Sequence, residues 1–252
     1  MAQEVGRSCW ISGVHAVQET LAARGADVLE LWIDRDAAGS SKTEALVRQG
    51  RSAGLKARLV GRRELDRVAG GRHQGVAARV AARGRQDLGA YLQGLSGAAK
   101  KDSVLVALDR VQDPRNLGAI ARSAANLGAA GIIIPDRRSS PVTPVAVSAS
   151  AGAIQRIKVF TVVNLAAALA ACREAGFWIY GADASGEPAW KTSLNRPLVL
   201  VIGSEGAGMR RLVREACDAV VSIPQTAAGV ESLNASCAAS VLLYEIRRQG
   251  AA

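Results

Sequence analysis

Three segments in the second half of the chain carry more polar side chains than a turn requires, and each follows an apolar run of strand length. The first is Leu108-Asp109-Arg110-Val111-Gln112-Asp113-Pro114-Arg115-Asn116-Leu117-Gly118-Ala119. Asp113 or Asn116 can cap a helix there, and Pro114 suits its first turn. Capping does not explain Arg122, which lies two turns beyond Arg115 on a helix built mainly of Ala, Ile and Leu; a cation so placed either lies harmlessly along the apolar face or meets an anion. The second segment is Ile202-Gly203-Ser204-Glu205-Gly206-Ala207-Gly208-Met209. Its glycines let a ligand approach the backbone at a strand end. The order G-x-x-G-x-G is not the dinucleotide fingerprint, and Glu205 would repel a pyrophosphate. An acid among glycines suits a hydroxyl, an amine or a guanidinium instead. The third segment runs from Ile223-Pro224 to Ser232-Leu233-Asn234-Ala235-Ser236, ahead of a long apolar helix. A cap needs one of Ser232 and Asn234, and both are present.

Positioning these segments takes a regular alternation of strands and helices. Apolar runs at 104–108, 131–135, 157–160, 177–181, 198–203 and 220–224 predict strands; 116–127, 165–175, 209–217 and 234–248 predict helices. Strands alternating with helices imply a mostly parallel sheet covered on both faces, with ligands beyond the carboxyl ends of the strands. A smaller alternation precedes it: helix 13–23, strand 28–33, helix 42–53, strand 56–60, helix 62–68 and strand 75–80. The expected organisation is therefore α/β throughout, with domains at 1–80 and 103–252 joined by a connector at 81–102 that holds one helix near 88–95. A length of 252 residues accommodates two such domains.

Charge singles out the smaller domain. The chain carries 32 Lys and Arg against 22 Asp and Glu, and 26 of the 32 are Arg. A GC-rich genome also raises Arg over Lys, so the location of the charge matters more than the count. Residues 48–85 hold eleven basic side chains against Glu64 and Asp66, nearly the whole net charge of +10. Arg forks match phosphate oxygens, and such a concentration predicts a polyanion-binding patch. No apolar stretch reaches the roughly 18 residues that span a bilayer, and the first residues lead into no apolar export segment, so a cytoplasmic protein is expected. Cys9, Cys172, Cys217 and Cys237 form no CxxC pair and read as reduced, mostly buried thiols. With only His15 and His73 available, no metal site is expected. Both histidines read as packing or ligand-contact residues.

Taken together, the three segments resemble the signature motifs of the SpoU/TrmH branch of the SPOUT class of RNA ribose 2′-O-methyltransferases, in order and spacing, over 103–248. Gly13-Val14-His15-Ala16-Val17 and His73-Gln74-Gly75-Val76-Ala77 are similar to the L30e-type substrate-binding domain of bacterial 23S ribosomal RNA guanosine-2′-O-methyltransferases. Two features depart from the relatives' pattern: the 224–232 loop is one residue longer, and Arg115 stands where His is commoner. The resemblance implies a homodimer, a trefoil knot in the second domain, and S-adenosyl-L-methionine held by the late loops. By motif, Gly203, Ile223 and Leu233 would line that cofactor. Asn116, Arg122, Glu205, Ser232 and Asn234 would face the target ribose. Arg122 would act either as general base, which a guanidinium that keeps its proton hardly can, or as a fixed cation oriented by Glu205. The implied substrate is a guanosine of 23S ribosomal RNA. Alternatives are a transfer RNA, another ribosomal nucleotide including one whose methylation confers resistance, and a non-catalytic RNA-binding assembly protein. With 4% aromatic residues, stacking on single-stranded RNA is not expected.

Overall fold

A computed structural model of the chain describes residues 8–69, 73–81, 86–226 and 232–250. They form two compact units, one from Met1–Gly84 with Thr143–Arg156, the other from Arg85–Val142 with Ile157–Ala252.

The first unit is a four-stranded sheet with helices. In chain order it contains β1 (Ser8–Ser12), α1 (Val14–Arg24), β2 (Val28–Asp34), α2 (Ser41–Ser52), β3 (Ala57–Val60), α3 (Arg62–Ala69) and β4 (Val76–Ala81). The sheet order is β1-β4-β2-β3, with β2 and β3 parallel and β4 antiparallel to both of its neighbours. Strand β1 is not among the sequence expectations: Ser-Cys-Trp-Ile-Ser is short, and it is strand only because β4 pairs with it from Ser8↔Ala81 to Ser12↔Ala77. The segment Thr143–Arg156, expected in the second domain, belongs to this unit. Polar ties at the end of α1 and apolar packing account for that: Arg24 Nη1 donates to Gln155 Oε1 at 2.7 Å, Arg156 pairs with Glu19, and Ala146, Val147 and Ile154 are buried.

The second unit continues with α4 (Leu88–Gly94), α5 (Gly97–Lys101), β5 (Val104–Leu108), α6 (Pro114–Asn126) and β6 (Gly131–Pro135). After α7 (Pro144–Ala149), whose residues belong to the first unit, come β7 (Lys158–Val162), α8 (Leu165–Glu174), β8 (Trp178–Pro188), β9 (Leu198–Ile202), α9 (Arg211–Glu215), β10 (Ala219–Ser222) and α10 (Ala235–Gln249). The six strands lie in the order β10-β8-β9-β5-β6-β7, all parallel. Strands β5, β6 and β9 are buried at every position, which is why they read as unbroken apolar runs. The expected connector is no mere connector. Leu88 and Leu92, one turn apart on α4, are buried in the same core as Leu105, Phe160 and Leu169. Helix α9 is shorter than the expected 209–217, because Arg210 is held in extended backbone by Asp109. The expected α/β class is the one observed.

Sheet order also fixes where a ligand goes. The chain runs outward through β5, β6 and β7, then returns to the far side of β5 to lay down β8, β9 and β10. Direction therefore reverses between the neighbours β5 and β9, whose carboxyl ends carry the first two polar segments. A crevice at such a switch point is the expected binding place in an open parallel sheet.

Of the four thiols, Cys172 is buried, Cys9 and Cys217 are half-buried and Cys237 is exposed, so the expectation of mostly buried thiols fails for Cys237. All four are free. Burial pushes the Cys172 thiol up to about 12; burial and then the Asp218 carboxylate push Cys217 up to about 11. Neither forms the reactive thiolate at neutral pH.

Candidate active site at the strand ends of the second unit

Strand β5 is followed by Asp109, which has no exposed surface. Its backbone N–H donates to the Ile202 carbonyl at 2.8 Å, and its carboxylate accepts from the Arg210 backbone N–H and from Arg210 Nε, each at 2.7 Å. A buried carboxylate needs such partners, and here they tie the end of β5 to the loop after β9. The apolar run leading into Asp109 gave no sequence signal of this role.

Helix α6 then starts as expected: Asp113 Oδ1 caps the Arg115 N–H at 2.8 Å, with Pro114 in the first turn. Asn116 sits in that turn and donates from Nδ2 to Glu205 Oε1 at 2.9 Å. Across the site, Asn234 is the N-cap of α10, its Oδ1 accepting from the Ser236 N–H at 2.9 Å and from Ser236 Oγ at 2.6 Å. The same side chain donates from Nδ2 to Asn116 Oδ1 at 3.1 Å and to Glu205 Oε1. The Ala235 N–H reaches Glu205 Oε1 at 3.4 Å. All three polar segments thus meet at one carboxylate oxygen. No hydrogen bond from a described residue reaches the other, Oε2.

The loop that holds Glu205 is a closed turn. Ser204 N–H donates to the Gly208 carbonyl at 3.1 Å, and Gly208 N–H returns to the Ser204 carbonyl at 2.9 Å. Gly203 at its base has no room for a side chain: a Cβ would overlap the backbone of Gly208 and Met209.

Two cavities flank Glu205. One, of about 300 Å³, is lined by Gly203–Gly208, by the apolar side chains of Ile202, Val221, Ile223, Leu233 and Leu242, and by Asp183 and Ser232. Burial alone raises the Asp183 carboxyl, but hydrogen bonds from Ser185 and the Arg214 guanidinium 2.7 Å away outweigh it and hold it below the usual range. The other cavity, of about 190 Å³, is lined by Arg110, Val111, Gln112, Asp113 and Asn116, and shares Ser204, Glu205 and Ala235 with the first.

Of the expected site residues, Gly203, Glu205, Ile223, Ser232 and Leu233 line the first cavity, Asn116 lines the second, and Asn234 joins Asn116 to Glu205. Arg122 is not brought to this cluster. It stands exposed on α6 with no hydrogen bond or ion pair to a described residue. Glu205 accordingly orients Asn116 and Asn234, not Arg122, which corrects the pairing expected from the motifs. The lengthened 224–232 loop is described only to Thr226 and again from Ser232; residues 227–231 lie outside the described residues, and with them the path by which the chain would thread a knot. Asp109, Arg110, Asp183 and Arg210 are additions that the sequence did not single out.

In the first unit, the basic patch falls on the surface. Arg48, Arg51, Lys56, Arg58, Arg62, Arg63 and Arg67 are exposed, and Arg79 pairs with Glu30 at 2.6 Å; Arg72, Arg83 and Arg85 lie outside the described residues. Two of the chain's nine aromatic residues lie beside it. Trp10 and Trp32 meet edge to face at 4.6 Å, and the Arg58 guanidinium lies 5.0 Å from the centre of the Trp32 ring. His73 is structural: Nδ1 accepts the Gly75 N–H at 2.9 Å, leaving Nε2 as the donor to Asp66 at 3.1 Å. Among the described residues no group of three or more metal-ligating side chains is gathered, and no helix is long and apolar enough to cross a membrane.

Residues 103–244 match the model of the SpoU rRNA Methylase family, and residues 10–85 match that of the RNA 2′-O ribose methyltransferase substrate-binding domain. The chain is 41% identical over 242 residues to a 23S rRNA (guanosine-2′-O-)-methyltransferase RlmB of Xanthomonas campestris pv. campestris, covering 95% of this chain and 96% of the relative. It is 43% identical over 248 residues to an uncharacterized tRNA/rRNA methyltransferase of Mycolicibacterium vanbaalenii, covering 95% of this chain and 76% of the relative. Among solved structures, the SpoU methyltransferase AviRb of Streptomyces viridochromogenes in complex with the cofactor AdoMet superposes with a TM-score of 0.80 at 27% identity, covering 97% of this chain and 91% of that one.

Proposed function

Because the chain belongs to the SpoU rRNA methylase family of RNA 2′-O-ribose methyltransferases, we propose that it transfers the methyl group of S-adenosyl-L-methionine to the 2′-hydroxyl of a guanosine in 23S ribosomal RNA. The observation that carries this reading is the convergence of three strand-end segments on Glu205, in the wall between two cavities.

The first cavity suits this cofactor. Its apolar walls from Ile202, Val221, Ile223, Leu233 and Leu242 fit an adenine, the bare backbone at Gly203 admits close approach, and the carboxylates of Asp183 and Glu205 favour a cationic ligand over a phosphorylated nucleotide. In this reading Gly203, Ile223 and Leu233 hold the cofactor. When bound, S-adenosyl-L-methionine supplies a methyl group already activated by its sulfonium leaving group.

The protein's own residues must then hold the ribose in line and make its hydroxyl nucleophilic. Asn116, locked by Glu205 and Asn234, presents its second amide hydrogen to a ribose oxygen, and Asn234, whose own amide hydrogens are both engaged, holds it in place. Glu205 Oε2, free of the donors that occupy Oε1, accepts the hydroxyl hydrogen bond and passes the proton on to solvent as the new O–C bond forms, and Ser232 contributes a further contact. Arg122 keeps its proton and acts as a fixed cation that stabilises the developing alkoxide. The exposed cations of the first unit, with the Trp10–Trp32 pair beside them, capture the RNA.

A homodimer is part of the same reading. Cys237, Val241 and Tyr244 are exposed at helical spacing on one face of α10, with Val241 47% and Tyr244 61% accessible. A second copy is the occupant proposed for that stripe. Tyr244→Glu should yield a monomer in light scattering at concentrations where the unaltered protein is dimeric; an unchanged mass would place the interface elsewhere.

The reaction is tested by mapping 2′-O-methyl groups across ribosomal RNA from cells lacking the protein. Loss of one 23S guanosine methyl, restored by the unaltered gene, is expected. An intact ribosomal map with a missing transfer-RNA methyl would move the substrate to transfer RNA.

A further inference from the structure

Arg110 is the one cation among the described residues that line the second cavity, and the proposed function gives it no role. It carries a Cβ, yet its φ is +60°, in the left-handed region where Arg is rarely found. Its neighbours fix it there. Asp109 is bound on one side by Ile202 and Arg210, and on the other the Val111 carbonyl accepts from the Ser140 N–H at 2.9 Å. Backbone strain of this kind persists only where the surroundings over-determine it, and it concentrates at ligand clamps.

Among the described residues the strained side chain also has no partner. Arg110 Nε is buried without a hydrogen-bond partner, and Arg110 makes no ion pair with any described residue. Among the described residues the carboxylates lining the cavity or next to Arg110 in the chain hold other donors: Asp109 holds Arg210, Asp113 the Arg115 N–H, and Glu205 holds Asn116 and Asn234 through Oε1, with no bond from Arg110 to its Oε2. The residue as a whole is half-buried, so the terminal nitrogens of its guanidinium stay open to the cavity and can take an anion that enters it. The cavity favours one further, since the amino ends of α6 and α10 border it through Asn116 and Ala235.

We propose that Arg110 anchors a backbone phosphate of the RNA strand next to the target ribose, in the 190 Å³ cavity beside Asn116 and Glu205. This rests on the methyl-transfer reading and adds to it the residue that sets the register of the strand. A ribose whose 2′-oxygen reaches Glu205 carries its 3′-phosphate on the adjacent carbon, so a cation one cavity away from the cofactor is suitably placed. Gripping the phosphate fixes which ribose stands at the junction.

The only other anion available at this junction is the carboxylate of the cofactor's methionine moiety, and the test separates the two. Arg110→Gly removes the cation and relieves the left-handed strain, so the variant should fold at least as stably as the parent. Binding of labelled ribosomal RNA, with S-adenosylhomocysteine present, is measured against salt for the parent, Arg110→Gly and Arg110→Lys. Expected for Arg110→Gly are RNA affinity about tenfold to a hundredfold weaker, a salt slope shallower by about one, and cofactor affinity within about twofold of the parent. Arg110→Lys should restore the slope but only part of the affinity. Unchanged RNA affinity and slope in Arg110→Gly would overturn the proposal. So would an equal loss of cofactor affinity, which would assign Arg110 to the cofactor's carboxylate. Methyl incorporation by the parent is scored separately: if it is absent from every RNA, the methyl-transfer reading fails while the binding series still decides Arg110.

Discussion

Arg122→Ala is expected to lower single-turnover methyl transfer by about a hundredfold to a thousandfold, the range seen when one preorganised charge stabiliser is removed. Affinity for S-adenosyl-L-methionine and melting temperature should stay at parental values. Arg122 is exposed on α6 and bonds to no described residue, so truncating it leaves nothing buried or unpaired. Surface changes of that kind fall within about 0.5 kcal/mol. A loss of activity could not then be blamed on unfolding. The size of the loss follows from the charge at the junction. Glu205 is anionic and its amide partners are neutral, so an alkoxide forming beside it is opposed by that carboxylate and needs a cation. Arg122→Lys should recover part of the rate, because charge matters there more than the fork. Radiolabelled cofactor and ribosomal RNA give the rate, and calorimetry gives the affinity. Normal turnover in the alanine variant would remove Arg122 from the chemistry and leave the burden on Glu205 and Asn116.

The same residue shows where the sequence stops being legible. Its motif partners stand at readable boundaries: Glu205 just past β9, Asn116 in the first turn of α6 and Asn234 at the N-cap of α10, and such boundaries follow from apolar runs such as Leu198–Ile202. Arg122 lies two turns into α6. The motif names it, but only the helix phase decides which way it points, and on the folded helix it is exposed and bonds to no described residue, Glu205 included. Asn234 was legible as a cap, because Asn before an apolar helix has few other uses. That it also bonds Asn116, 118 residues earlier, depends on the β5–β9 pairing, which no local pattern encodes.

Long-range pairing likewise explains what was missed in the fold. Strand β1 has too little apolar alternation to announce itself and exists because β4 offers an edge. The Thr143–Arg156 segment has ordinary helical caps in Thr143 and Pro144, but its membership in the first unit is decided by Arg24 and Glu19, far away in sequence. Asp109 reads as a polar full stop after an apolar strand; its burial becomes necessary only once Arg210 is seen on it. Local periodicity thus carried the elements, and the contacts between elements carried the corrections.

Gly203→Ala is expected to weaken cofactor binding by about a hundredfold or more, while costing about 1–3 kcal/mol of stability through overpacking. The added methyl would overlap the Gly208 carbonyl carbon and stand 2.5 Å from the Met209 nitrogen and 2.8 Å from the Gly208 oxygen. Backbone atoms cannot swing aside as a long side chain can. The turn is closed by the paired Ser204 and Gly208 bonds, and the next residue but one after Gly208 is Arg210, anchored on the buried Asp109. The strain can escape only by pushing the 204–208 turn outward, which moves the wall of the larger cavity and carries Glu205 away from Asn116. Gly206→Ala is the matched comparison. Gly206 has a φ of +74° but open space where its Cβ would stand, so alanine there meets backbone strain of about 1–2 kcal/mol without a clash. Its cofactor affinity should stay within a few-fold of the parent. Calorimetry on both variants, with melting curves to follow the stability cost, separates close approach from backbone flexibility. If Gly203→Ala binds the cofactor as well as the parent, the turn is not the cofactor's floor, and the larger cavity loses its strongest claim to that ligand.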